Sequence, residues 1–128
     1  MTERNVLGGP LEPCGTDPLT GYRRDGTCRC EGDPGVHAVC AVMTGPFLAH
    51  QRATGNDLTT PRPEYGFPGL RPGDRWCVVA ARWLLSFEQG VAAPVVLAAT
   101  SEAALELVPL DTLRLAAVDV PDDPRDLA

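Results

Sequence analysis

Apolar residues in this chain fall into short blocks, and the spacing within each block predicts a different element. Val36-His37-Ala38-Val39-Cys40-Ala41-Val42-Met43 lies between Gly35 and Gly45 and is rich in β-branched side chains, which predicts a strand buried on at least one face. Thr44 is a good helix N-cap, Pro46 suits a first turn, Phe47 and Leu48 face inward and Gly55 stands just past the end. A helix of about two turns is expected after the strand. Beyond Asp74, a second N-cap residue, Trp76, Val79, Ala80, Trp83 and Phe87 recur at helical spacing up to Gly90 and predict the principal helix. Its start has two readings, because Trp76-Cys77-Val78-Val79-Ala80 suits equally a strand leading into a shorter helix.

Pro94 to Ala98 predicts a second strand, Ser101 a cap for a helix from Glu102 to Val108, and Pro109 the opening of another short helix through Leu113 to Ala116. Between these blocks, glycine and proline fill 11 of the 28 positions from Gly8 to Gly35 and 8 of the 19 from Gly55 to Gly73. Both stretches should therefore be turns and irregular chain. Within the first, Asp17-Pro18-Leu19-Thr20-Gly21 predicts a turn in which the aspartate side chain bonds nearby amides. The expected fold class is α+β in two layers, a small sheet packed by three or four short helices with long Gly/Pro-rich segments. The expected organisation is one compact domain over residues 1–120 and a frayed tail over 121–128.

Composition narrows the functional classes. At 128 residues, with 44% hydrophobic and 22% charged side chains, the chain has the make-up of a globular domain, and its apolar runs are too short to span a bilayer. Its cations are all arginine, and a net charge of −6 repels phosphate backbones and anionic lipid, so neither nucleic acid nor a membrane is an expected partner. Met1-Thr2-Glu3-Arg4-Asn5 has no cationic start and no apolar h-region, which predicts a cytoplasmic protein. In that compartment the odd count of five cysteines, Cys14, Cys28, Cys30, Cys40 and Cys77, is expected to be five free thiols.

Several long strings resemble one family. Asn5-Val6-Leu7-Gly8-Gly9-Pro10-Leu11, Thr16-Asp17-Pro18-Leu19-Thr20-Gly21, Val39-Cys40-Ala41-Val42-Met43-Thr44, Pro61-Arg62-Pro63-Glu64-Tyr65-Gly66-Phe67-Pro68-Gly69-Leu70 and Gly73-Asp74-Arg75-Trp76-Cys77 are similar to the family catalogued as domain of unknown function 2237, small proteins found mostly in bacteria. The likeness covers nearly the whole chain. It implies no defined activity. Against the family pattern Cys30 is an addition, and Thr27 stands where another cysteine is expected.

Three chemistries can be assembled from the residues. The loop from Asn56 to Arg75 carries Asn56, Asp57, Arg62, Glu64, Tyr65, Asp74 and Arg75 on a backbone stiffened by proline, a suitable cradle for a small, anionic molecule held by the planar forks of Arg62 and Arg75. The same charges can instead pair with one another in a rigid wrap over the core. A second candidate is zinc held by Cys28, Cys30, His37 and Cys40, although the single residue between Cys28 and Cys30 is shorter than the usual spacing. Cys40 in an apolar strand and Cys77 on an apolar helix face otherwise read as small hydrophobes. A catalytic pairing of Cys14 or Cys28 with His37 is the third, and His50 reads as a solvated surface residue. The leading expectation is a small-molecule-binding or enzymatic domain, with no resident cofactor. The alternatives are a thiol or zinc protein built on Cys14, Cys28 and Cys40, and an interaction module without a pocket.

Overall fold

Two short antiparallel strands form the centre around which the other elements are placed. In the computed structural model, which describes residues 3–119, β1 (Val39–Val42) pairs with β2 (Arg75–Val78) so that Val39 faces Val78, Cys40 faces Cys77, Ala41 faces Trp76 and Val42 faces Arg75. The β-branched run predicted this strand, and Ala38 to Ala41 are fully buried. The expected bounds were wider, because Val36 takes a positive φ of 55° and Ala38 N donates to Val36 O in a tight turn that delays the strand. The expected tail over 121–128 lies outside the described residues.

The chain after β1 folds as its capping signals require. Thr44 accepts a bond from Phe47 N at 3.2 Å and starts α1 (Gly45–Ala53), which buries Phe47, Leu48 and Gln51. After the second irregular segment, the shorter of the two expected helices forms. Residues 75–78 join the β1 ladder, and α2 (Ala80–Glu88) follows. Asp74 is therefore not a helix cap; its carboxylate accepts from Arg71 N at 2.9 Å and closes the turn that leads into β2. Trp83 is completely buried on α2, donates its indole N–H to Ala93 O at 2.9 Å and stacks on Phe87 with ring centroids 5.4 Å apart.

Polar groups join the two helices. The buried Gln51 amide donates to Arg82 O at 3.0 Å and to Ser86 Oγ at 2.8 Å, while His50 Nδ1 lies 2.8 Å from the same hydroxyl. His50 is thus half-buried against α2 and not a solvated surface residue. Each of these groups finds its partner on the facing helix, which makes the contact possible without leaving a buried amide unpaired.

The stretch expected to form a second strand makes only isolated bridges, both at Val95. Val42 N donates to Pro94 O at 2.8 Å and Val96 N to Cys40 O at 2.9 Å, so residues 94–96 run along the free edge of β1, with Val95 bridging Ala41 on one side and Ala117 on the other. Pairing stops there because the Leu97 and Ala98 N–H groups turn to the Asp119 carboxylate at 2.8 and 3.0 Å, and Leu97–Ala99 winds into a 3-10 helix. Ser101 caps the next turn as expected, accepting from Ala103 N at 3.1 Å, but Glu102–Glu106 is also 3-10 and ends before Val108. Pro109 then opens α3 (Leu110–Leu115), which buries Leu113. With one two-stranded antiparallel sheet and three short α-helices, the fold is α+β.

Trp83 is the largest fully buried side chain, and its indole N–H ties the chain beyond α2 at Ala93. Trp83→Ala should lower the unfolding free energy by roughly 3–5 kcal/mol in denaturant titration, through lost burial and the cavity left behind. A loss below about 1 kcal/mol would mean that the helix does not depend on this contact for its position.

Candidate functional site

The first irregular segment, residues 8–35, contributes no helix or strand, and its course is set by a few anchors. Asn5, buried at its start, donates to Pro10 O and Ala98 O at 3.0 and 3.1 Å and accepts from the Leu7 and Gly9 amides. Cys14 N and Gly15 N both donate to Gly26 O, and Gly26 N donates to Thr20 O, so the chain from 14 to 26 doubles back on itself. Gly21 sits in this fold at φ +103°, where a Cβ would run into Thr27 O. The turn expected at Asp17 forms between the bridged Thr16 and Leu19, but carboxylates that bond nearby amides are found elsewhere. Asp25 accepts from the Thr27 amide and hydroxyl, Asp33 from the Gly35 and His37 amides, and Asp57 from the Thr59 and Thr60 amides.

Beneath this segment the β1–β2 pair is prepared to receive it. Cys40 and Cys77 are opposite each other, but they do not exchange ladder bonds: Cys40 N donates to Thr100 Oγ1 at 3.1 Å and Cys77 N to Thr20 Oγ1 at 2.8 Å. Side chains of such a non-hydrogen-bonded pair project on one face and lie closer together than those of a bonded pair. Thr20 and Thr100 are themselves fully buried, and the Thr100 hydroxyl passes its own proton to Val96 O at 2.8 Å.

Onto these two strand sulfurs the irregular segment brings two more. Cys14 is joined to Cys40 and Cys28 to Cys77 by disulfides, with Cα atoms 5.6 and 5.3 Å apart, and the sulfurs of Cys14, Cys28 and Cys77 lie within 4.8 Å of one another. All four residues are at most 2% exposed and share their shell with Val42, Val96 and Ala99. The expectation of five free thiols is thereby corrected: four are paired and Cys30 alone is free. The two links close 26 and 49 residues of chain, and a cross-link over loops of that length restricts the unfolded chain by about 3–4 kcal/mol.

The structure separates the expected zinc ligands. Cys28 and Cys40 belong to different disulfides, while Cys30 and His37 stand apart from the sulfur cluster. Burial first, then the carboxylates of Glu3 and Asp33, push the Cys30 thiol up to about 12, so it is a poor nucleophile. Its amide donates to both Glu3 oxygens, and Glu3 also holds the Ser101 hydroxyl. Nor is His37 a base for Cys14 or Cys28, whose sulfurs are both spent in disulfides. Its Nδ1 lies 2.8 Å from Asp33, and since an ionised carboxylate only accepts, the ring proton sits on Nδ1. Tyr22 stacks on the other side of the ring at 5.9 Å.

The Asn56 to Arg75 loop is ordered from within. Asp57 accepts from both threonine hydroxyls as well as their amides, and the bonds from Thr60 and then Thr59 hold it well below the usual carboxylate range. Asn56 donates to Gln51 Oε1 at 2.9 Å, Asp74 closes its turn, and Glu64 and Tyr65 stand exposed on a 3-10 turn over Pro63–Tyr65. Arg62 and Arg75 are exposed, and neither guanidinium bonds another described residue. Four surface grooves of about 530–650 Å³ are lined by other residues, so the seven loop positions do not gather on any of them.

The profile of a family described as an uncharacterized protein conserved in bacteria, DUF2237, matches residues 4–117. The chain belongs to this family. The match takes in all four clustered cysteines together with Thr20 and Thr100, so the site just described lies wholly inside the DUF2237 region. No curated protein matches the chain. Among the described residues, no helix is long and apolar enough to cross a membrane.

Sequence reasoning named Cys14, Cys28 and Cys40 but read Cys77 as packing, and it overlooked Thr20 and Thr100. Cys77 was within reach: the strand reading of Trp76 to Ala80 places it on an alternating face. The two threonines carry no comparable signal.

Asp33 gives a pH test of how the segment is held. Burial raises its carboxyl, but the His37 amide and ring and the Gly35 amide outweigh that and hold it below the ordinary value. A depressed carboxylate stabilises the fold above its unfolded pKa, near 3.9, and that contribution is lost as pH falls through the folded value. Asp33→Asn should therefore cost roughly 1–3 kcal/mol at pH 7, and the gap to the parent should narrow below about pH 4 in paired denaturant titrations. A gap that is constant from pH 7 to pH 2 would show that the charge contributes nothing.

Proposed function

We propose that this DUF2237 protein is a thiol protein whose cysteine cluster is a redox-controlled clamp on residues 14–30. The observation that carries the reading is the convergence of four buried sulfurs from two strands and one irregular segment. That segment has no helix or strand of its own, and its side chains from Tyr22 to Asp25 are exposed. Its attachment to β1 and β2 includes the two disulfides, the Thr20 hydroxyl on Cys77 N and the Arg24 guanidinium 5.3 Å over the Trp76 ring. Reduction of each disulfide by a dithiol donor yields two thiols and removes a cross-link, while the α1–α2 contacts are untouched. Oxidation restores the clamp. A fold with a stable half and a half held by covalent links can display or withdraw a surface according to the thiol state of its surroundings.

The expectation of a pocket for an anionic small molecule rests on the Asn56 to Arg75 loop, where the Arg62 and Arg75 guanidiniums are unspent among the described residues but none of the four grooves gathers them with the other loop positions. The cluster has the more specific arrangement.

Thiol counting with hydrogen exchange tests the clamp. Denatured under non-reducing conditions, the protein should titrate one thiol, and after treatment with excess dithiol five. In the native reduced protein, kept free of metal by a chelator, the amides of Gly15, Gly26 and Cys77 should exchange at least roughly tenfold faster than in the oxidised form. Those of Trp83 and Thr54 should keep their protection. Unchanged protection of residues 14–30 in a protein shown to be fully reduced would overturn the reading.

A further inference from the structure

Reduction leaves four sulfur donors in a closed, dry space, and that arrangement has a chemistry of its own. We infer that the reduced Cys14, Cys28, Cys40 and Cys77 bind one zinc ion as a tetrathiolate site. The inference rests on the redox reading above and extends it, since it says what occupies the cluster when the disulfides are open.

Distance is the first argument. Four sulfurs at the usual zinc–sulfur length of about 2.3 Å stand roughly 3.8 Å from one another at the corners of a tetrahedron. The sulfurs of Cys14, Cys28 and Cys77 already lie within 4.8 Å of one another, and the fourth, Cys40, is bonded to Cys14 and faces Cys77 across the ladder. Forming the site therefore needs each bonded pair to part by about 2 Å and the Cys40 sulfur, which lies outside the 4.8 Å group, to move in toward Cys28 and Cys77. Two ligands sit on strands and two on irregular chain, so the strands fix half of the tetrahedron and the segment supplies the adjustable half.

The surroundings are the second argument. Thr100 and Thr20 hold the Cys40 and Cys77 amides, which fixes the two strand ligands from behind as supporting bonds do in metal sites. No ligand is more than 2% exposed, so there is no place for a water or substrate on the metal. Such a closed site is structural and not catalytic. It is also distinct from the set read from sequence spacing, because Cys30 and His37 lie outside it.

The balance is simple. Each disulfide takes two electrons and two protons from a dithiol, which becomes a disulfide in turn. Zinc then displaces the four thiol protons and leaves a site of net charge −2. On oxidation the four thiolates give up four electrons to a disulfide or peroxide oxidant, two S–S bonds form and the ion leaves. Zinc thus re-fastens the segment in the reduced state when the metal is present, and the reduced, metal-free protein is the released form.

Anaerobic metal titration of the full chain, reduced with a phosphine, is the test. One zinc per chain by elemental analysis is expected in the reduced protein and none in the oxidised protein. Cobalt(II) as a probe should give the intense visible bands of tetrahedral coordination with strong thiolate charge-transfer absorption. Cys30→Ser and His37→Ala should bind zinc as the parent does, whereas Cys28→Ser and Cys77→Ser should lose stoichiometric binding. Should those two variants fail to fold, the parent alone decides the matter: peroxide must release one zinc as four thiols disappear. Absence of stoichiometric metal in reduced parent protein would overturn the zinc site, as would its loss in Cys30→Ser or His37→Ala. If faster exchange over residues 14–30 were still seen on reduction, the clamp would stand without the metal. If exchange were unchanged and zinc absent, both would fall.

Discussion

Everything placed on the central ribbon depends on where one non-hydrogen-bonded rung falls in its ladder: Cys40 and Cys77 face each other there and give their outward N–H groups to threonine hydroxyls from outside the strands. A bonded pair would have held its side chains farther apart. The register puts the two sulfurs together on one face, Thr20 and Thr100 satisfy the outward amides, and the irregular segment meets the sulfurs there. The hydroxyls do double work in the accounting of buried polar groups. Each satisfies a strand amide that would otherwise lack a partner, and each ties a distant stretch, residues 14–26 in one case and 96–101 in the other, to the same place.

The division of the molecule follows. Trp83, Phe47, Leu97 and Leu113 belong to the larger apolar core that seats α1, α2 and α3, whereas the cysteines form a smaller cluster with Val96, Ala99 and Val42. The larger core is held by apolar burial. The smaller cluster exposes little apolar area of its own to bury, which is the condition in which small folds rely on disulfides or metals. One chain therefore contains two kinds of cohesion that answer to different conditions.

How much of this could be read from the residues depends on the range of the interaction involved. Thr44, Pro46 and Gly55 specified α1 because caps act within one turn, and Val39 to Val42 specified β1 because β-branched side chains suit a half-buried ladder. Asp74 misled, since a carboxylate that caps helices also closes turns, and the bond to Arg71 N is as local as the one expected at a helix start. The edge stretch at Pro94 looked like a strand because nothing in its own sequence reveals that Asp119, 22 residues from Leu97, will take its next amides. The cluster failed to appear for the same reason. Pairing across 26 and 49 residues is decided by where β1 and β2 put their side chains, and the spacing of Cys28, Cys30, His37 and Cys40 along the chain says nothing about that.

The two disulfides also interleave: Cys28 lies between Cys14 and Cys40, while its partner Cys77 lies beyond both. Neither loop can be opened without the other still holding part of it. When only Cys14–Cys40 is cut, Cys28 remains fastened to β2 and keeps Cys14 tethered through a short stretch of chain, at an effective concentration set by that tether. Reclosure then competes well against any reductant in solution, and half-reduced molecules are drawn back toward the oxidised form. The cluster should consequently pass between its fully paired and fully open states over a narrow range of redox potential, as a cooperative unit of four electrons.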